Sequence, residues 1–165
     1  MSPDDPSSRT PAGDAFTALV VQILRLNGHL IAAGDALARP AGQTSARWQV
    51  MGMVEHGPAT VAQVARALGI TRQSVQRVAD LLEGDGLAEF APNPADRRAD
   101  LLQLTDAGRA ALRTIQHAQR RWADSLGAEI GEDELRRASE VLARVAEVVA
   151  RTSKATESSG ENQNS

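Results

Sequence analysis

Cysteine is absent from all 165 residues. Disulfides, thiolate metal sites, cysteine nucleophiles and thiol-based redox sensing are thereby excluded. Aromatic side chains are nearly as scarce, at 2% with no tyrosine. The core must be assembled from Leu, Val, Ile and Ala. That favours helices over a sandwich or barrel, because Ala and Leu are strong helix formers while β-branched and aromatic runs are few. Long apolar runs are lacking too. None approaches the ~20 residues of a membrane span, and the opening residues MSPDDPSSRT have neither the basic nor the apolar region of a signal peptide. A cytoplasmic protein with no membrane partner is the expectation.

Other chemistries are missing as well. His29, His56 and His117 fall on separate segments with no HxxxH spacing, so no metal site is expected. No GxSxG, P-loop, GxGxxG or HExxH occurs, which leaves no visible catalytic apparatus and no cofactor motif; the expectation is not an enzyme. A surplus of positive charge is also absent, the formal net charge being −3. This weighs mildly against nucleic acid as a partner, although a binding face can be locally positive on an acidic protein.

What is present is an ordinary globular composition, 42% hydrophobic and 24% charged, with enough chain for one compact domain. Residues 1–13 and 153–165 are rich in Ser, Pro, Asp, Asn and Gly and read as disordered tails around a domain at 14–152. Inside it, Phe16, Leu19, Ile23, Leu26, Leu30, Ala33 and Leu37 recur at helical spacing over 14–38, up to Pro40 and Gly42. Thr44 can cap a second helix carrying Trp48, Met51 and Val54. Thr60 and Gln63 have the spacing of a capping box for a helix over Val61–Leu68, and Gly69 suits its left-handed end. Thr71 can cap a fourth helix, apolar along Val75, Val78, Ala79, Leu81 and Leu82. Leu87–Ala91 and Ala99–Leu104 are the only plausible strands, flanking a loop with two prolines. Thr105 opens a fifth helix. A sixth begins near Gly131, with a heptad-like stripe of Leu135, Ala138, Leu142, Val145 and Val149. The fold class is mainly α with a small β-hairpin wing.

Residues 58–104 carry the informative pattern. Two short helices separated by Gly69-Ile70-Thr71 have the compact turn of a helix-turn-helix. The second begins Thr71-Arg72-Gln73-Ser74 and continues with Gln76 and Arg77, polar residues opposite Val75, Val78 and Leu82. Arg fits guanine bidentately, Gln fits adenine and Ser serves either, and clustering at the helix start suits entry of that end into a major groove. Asp80, Glu83 and Asp85 lie further along, where the helix would be leaving the groove. An ordinary solvated face would show the same polarity, but the next segment favours DNA. A hairpin whose loop presents adjacent Arg97 and Arg98 suits the narrow, electronegative minor groove. Asp96 is placed to pair with one of these arginines and hold the loop in shape.

With these residues in place the chain resembles the multiple-antibiotic-resistance regulator (MarR) family. Asp96-Arg97-Arg98, then Leu102, Leu104-Thr105 and Gly108, matches that family's D-R-R-x-x-x-L-x-L-T-x-x-G signature. Gly57-Pro58, Val64-Ala65, Leu68-Gly69, Val75, Leu82 and Gly86-Leu87 also fall where the family has similar residues. The resemblance covers about residues 14–151. It implies a winged helix-turn-helix homodimer, with dimerisation helices at 14–38 and 105–152, gripping a double-stranded, pseudo-palindromic operator as a regulator, in the expected mode a repressor. It further implies a small aromatic or phenolic effector in a cleft between the first, second and fifth helices. Arg25, His29, Trp48 and Met51 are candidates there, offering charge, hydrogen bonding, an aromatic face and a soft apolar wall; core packing accounts for Trp48 and Met51 equally well. The alternative from another class is a winged-helix protein interaction module without DNA binding, favoured by the acidic balance and by Glu89 and Asp100 near the wing.

Overall fold

Thr10 and Pro11 start the first helix. In the computed structural model, which describes residues 9–161 and side chains as far as residue 152, the Thr10 hydroxyl accepts the Gly13 N–H at 3.1 Å and Pro11 takes the first helical position, where its missing donor costs nothing. Helix α1 spans Pro11–Ala38, so it begins three residues before the expected boundary. A 3₁₀ turn at Arg39–Ala41 and Gly42, with φ of 69°, end it. Residues 1–8 and 162–165 of the expected tails lie outside the described residues.

Helix α2 (Ser45–Met53) is capped twice. The Thr44 hydroxyl accepts the Arg47 N–H, and Asp35 on α1 accepts the Ser45 N–H at 2.7 Å. This joint is close: a β-carbon at Gly34 would come within 2.7 Å of the Ser45 hydroxyl. Helix α3 (Val61–Leu68) has the complete capping box, Gln63 N–H to the Thr60 hydroxyl at 3.2 Å and Thr60 N–H to the Gln63 side chain at 2.8 Å. Its end pairs Gly69 N–H with Arg66 and Ile70 N–H with Ala65, the two bonds of a Schellman turn. Helix α4 (Arg72–Gly84) follows, capped by Thr71.

Strands β2 (Ala88–Ala91) and β3 (Leu101–Leu104) form the hairpin, both somewhat shorter than the sequence implied. The expectation of only two strands needs correcting. Ala59–Thr60 forms a short strand β1 that pairs antiparallel with β3, giving the order β1-β3-β2. Two residues carry no alternating pattern, and their strand character comes entirely from the partner.

One core unites these elements. Val50, Met51 and Val54 from α2, Val64 and Ala65 from α3, and Val75, Ala79 and Leu82 from α4 pack with Ala88, Leu102 and Leu104 of the hairpin and Leu112 of helix α5 (Asp106–Ile130). Leu81, expected on the apolar side of α4, is instead 51% exposed. At 3.6 residues per turn it falls well away from the stripe through Val75, Ala79 and Leu82.

The chain divides into two units, one ending at Ala118 and the other starting at Gln119. The second contains the later part of α5 and helix α6 (Glu132–Glu161), whose first turn carries Glu132, Asp133 and Glu134. These acids favour the positive end of the helix dipole. α6 passes the boundary expected at residue 152, since a nucleated helix propagates cheaply through a proline-free segment. Along its stripe Leu135, Leu142 and Val149 are exposed and Val145 is half-buried.

α1 is the most apolar of the helices. Gln22, Arg25, Asn27 and His29 interrupt its apolar run, yet an 18-residue window holds at most two Asp, Glu, Lys or Arg and passes, on length and composition alone, for a membrane-crossing helix. Phe16, Leu26 and Leu30 on this helix are exposed within the chain.

Candidate nucleic-acid interface

Burial of Val75, Ala79 and Leu82, all at 0% exposure, fixes the roll of α4 about its axis. Arg72, Gln73, Ser74, Gln76 and Arg77 are in consequence all exposed. Two of the polar groups at the helix start are already engaged. The Thr71 hydroxyl accepts the Ser74 N–H at 3.1 Å and shares a 2.8 Å hydrogen bond with the Ser74 hydroxyl. Gln76 is also tied, its Nε2 donating to Asp80 Oδ1 at 2.7 Å. Among the described residues Arg72 and Arg77 take part in no ion pair, so their guanidinium groups are available to a partner.

The hairpin loop brings a third guanidinium to this face. Arg98 lines one cleft of about 490 Å³ together with Arg72, Gln73 and Gln76 of α4, Phe90 of β2 and the first residues of α3. Asp100 lines it too. Arg97 is exposed on the loop but is not part of that cleft.

Asp96 supports the loop differently from the expected ion pair. Its Oδ1 accepts the backbone N–H of Arg98 at 3.0 Å and its carbonyl accepts the Ala99 N–H at 3.2 Å. An Asx turn of this kind uses the carboxylate to shape the backbone. It leaves both arginine side chains out of any ion pair among the described residues.

The base of the hairpin explains the Leu-x-Leu-Thr-x-x-Gly part of the signature. Leu102 and Leu104 alternate into the core. The Thr105 hydroxyl donates to the Gly86 carbonyl at 2.7 Å and accepts the Gly108 N–H at 3.1 Å, while the Thr105 N–H donates to the Leu87 carbonyl at 3.1 Å. The turn after α4 and the start of α5 are thus held to one another.

Two further residues fix α2 to its neighbours and were not singled out from sequence. Arg47 of α2, whose side chain is 16% exposed, pairs with Asp85 just beyond α4 at 2.6 Å and also reaches Gln43 at 3.3 Å. Asp35 holds the start of α2. Neither has a local signal, because the partners lie 38 and 10 residues away.

The four effector candidates are spread out. Met51 is wholly enclosed in the core and Trp48 packs partly buried against it. Arg25 and His29 are exposed on α1. None of the four lines the cleft described above, the hollow on the outer side of α4, or the concavity in the second unit lined by Asp124, Glu132, Arg136 and Glu140.

Comparison with known proteins agrees with this geometry. The sequence profile of the MarR family matches residues 41–99, the span from α2 through the hairpin loop. An uncharacterized protein of Mycobacterium tuberculosis (strain H37Rv) is 45% identical over 102 residues, covering 62% of this chain and 71% of its own length. The transcriptional repressor CouR, solved bound to a 23-mer DNA duplex, superposes with a TM-score of 0.71 at 28% identity, over 84% of this chain and 99% of that one. The Mycobacterium tuberculosis transcriptional regulator MOSR, solved in complex with DNA, gives a TM-score of 0.66 at 26% identity, over 79% and 96%.

Proposed function

The chain belongs to the MarR family of winged-helix, DNA-binding transcriptional regulators, and on that premise we propose that it acts as a homodimer on a pseudo-palindromic operator, repressing transcription until a small organic effector releases it. The carrying observation is the shared cleft that puts Arg72, Gln73 and Gln76 of α4 beside Arg98 of the wing. A helix start rich in base-reading side chains meets a cationic loop tip there. In this reading Thr71 and Ser74 set the helix start, Arg72, Gln73, Gln76 and Arg77 face base edges in the major groove, and Arg97 and Arg98 take the backbone or the minor groove. In this reading the protein works in the cytoplasm, alongside a bacterial-type chromosome.

The homodimer is supported by apolar side chains that the single chain leaves exposed. Phe16, Leu24, Leu26 and Leu30 on α1 and Leu135, Leu142 and Val149 on α6 are each at least 39% exposed. Exposed stripes of this length are what a subunit interface covers. A two-fold dimer then presents two α4 helices to two half-sites about one helical turn apart, which accounts for operator symmetry.

Repression and effector response draw on the repressor among the relatives and on the absence of cysteine, which removes thiol oxidation as a trigger. The effector site would lie near α1 and α2, close to Arg25, His29 and Trp48, with Met51 forming its floor from the core. Titrating phenolic and aromatic acids into the protein–operator complex while following DNA release tests this part. Release by at least one acid is expected, and no shift with any of them removes the effector from the account.

A protein interaction module without DNA binding has one specific observation in its favour: Asp100 lines the cleft of Arg72 and Arg98, and Asp80 lines the hollow of Arg77. A gel shift with the protein's own upstream DNA over a salt series separates the readings. DNA binding that weakens steeply with salt supports the regulator. No shift at low salt supports the interaction module.

A further inference from the structure

Asp80 lies on the same side of α4 as Gln73 and Arg77. At about 100° per residue, Gln73, Arg77 and Asp80 fall within roughly 60° of one another, opposite Val75, Ala79 and Leu82. Gln73, Gln76, Arg77, Asp80 and Leu81 line one shallow hollow of about 380 Å³ on that outer side. An acid in the middle of a DNA-facing surface repels phosphate, so its presence there calls for a role. It forms no ion pair among the described residues, not even with Arg77 one turn back. Its described side-chain partner is Gln76, at 2.7 Å.

That partner carries the argument. A carboxylate offers only acceptors, so Gln76 must turn its amide nitrogen, and not its carbonyl oxygen, toward Asp80. Flipping the amide would set two oxygens against each other and lose a charge-assisted hydrogen bond. With one N–H held by Asp80, Gln76 keeps its Oε1 and one N–H free. This acceptor–donor pair matches the N6 amino group and N7 of adenine, whereas guanine presents two acceptors, O6 and N7, and thymine an acceptor and a methyl group.

The geometry points to Asp80 as a positioning residue that sets base specificity: it locks the amide of Gln76 so that the pair reads adenine in each half-site. This rests on the DNA-binding reading above. It differs from a plain i,i+4 helix contact, which would add a little stability and leave base preference alone.

The test is selection of binding sites from a randomised duplex library by the full-length protein, comparing wild type with Gln76→Ala and Asp80→Asn, and a thermal melt of each. Wild type is expected to enrich adenine at one position per half-site on the order of tenfold over guanine. Gln76→Ala abolishes that enrichment. Asp80→Asn, whose amide can turn either face to Gln76, abolishes it too while remaining folded, and its affinity for non-specific duplex rises because a negative charge is removed. An Asp80→Asn protein that still enriches adenine as wild type does overturns the proposal and leaves the DNA-binding reading standing. A wild-type protein that enriches no sequence overturns both.

Discussion

Gly108 lies directly against the carbonyl oxygen of Leu87, with no room for a β-carbon between them. The same carbonyl accepts the Thr105 N–H at 3.1 Å, so it is held in place and cannot swing aside. Side-chain size is therefore restricted at the point where the hairpin hands over to α5. Gly108→Ala should destabilise the protein by about 1–3 kcal/mol through overpacking. Gly52→Ala, where an added β-carbon meets nothing within 4 Å in a helical turn, should be neutral or stabilising by up to ~1 kcal/mol. Urea unfolding of the two variants measures the contrast, and equal midpoints would show that the Leu87 contact does not constrain this joint.

The Arg47–Asp85 pair joins α2 to the end of α4 across a half-buried surface, with side-chain exposures of 16% and 54%. A coupling of about 1 kcal/mol is expected from a double-mutant cycle of Arg47→Ala and Asp85→Ala, between the values typical of exposed and enclosed charged hydrogen bonds. Coupling indistinguishable from zero would make the pair a surface coincidence.

Arg97 and Arg98 should each contribute to DNA affinity through phosphate or minor-groove contact. Removing one phosphate contact lowers the slope of log affinity against log salt by about 0.9. Arg97→Ala with Arg98→Ala should then flatten the slope by nearly two units and weaken all sequences alike. Unchanged affinity and slope in the double variant would falsify the wing contact.

Leu142 and Val145 lie on the α6 stripe, Leu142 being 40% exposed within the chain. Replacing both with Glu should give monomers, or aggregates if the monomer cannot stay folded, because charge is driven into an apolar interface. Sedimentation of the wild type at micromolar concentration should show twice the 17.5 kDa chain mass. A well-folded wild-type monomer at that concentration contradicts the dimer.

The helix-turn-helix was legible because its signals are local. The Thr60–Gln63 box, the Gly69 end and the Thr71 cap each act within a few residues, and each stands as its spacing implied. The alternation of Leu102 and Leu104 was equally readable as a strand with one buried face. What escaped depends on distant partners. β1 exists only because β3 is beside it, and the Asp35 and Arg47 contacts join residues that no periodicity relates. Asp96 does hold the loop through Arg98, but by its backbone N–H and not its guanidinium, and an ion pair and an Asx turn need the same residue at the same spacing. Asp80 lies late along α4, and its rotation about the axis, which a count of residues does not display, puts it on the side of Gln73 and Arg77.

Sequence-specific DNA binding is the central claim, and equilibrium titration of the full-length protein tests it most directly, using a labelled duplex of its selected operator and a scrambled duplex of the same composition. At near-physiological salt the account predicts at least about a 10³-fold preference for the operator, two chains per duplex at saturation, and affinity that falls steeply as salt is raised. Equal affinity for the two duplexes, or no binding to either at low salt, would contradict it.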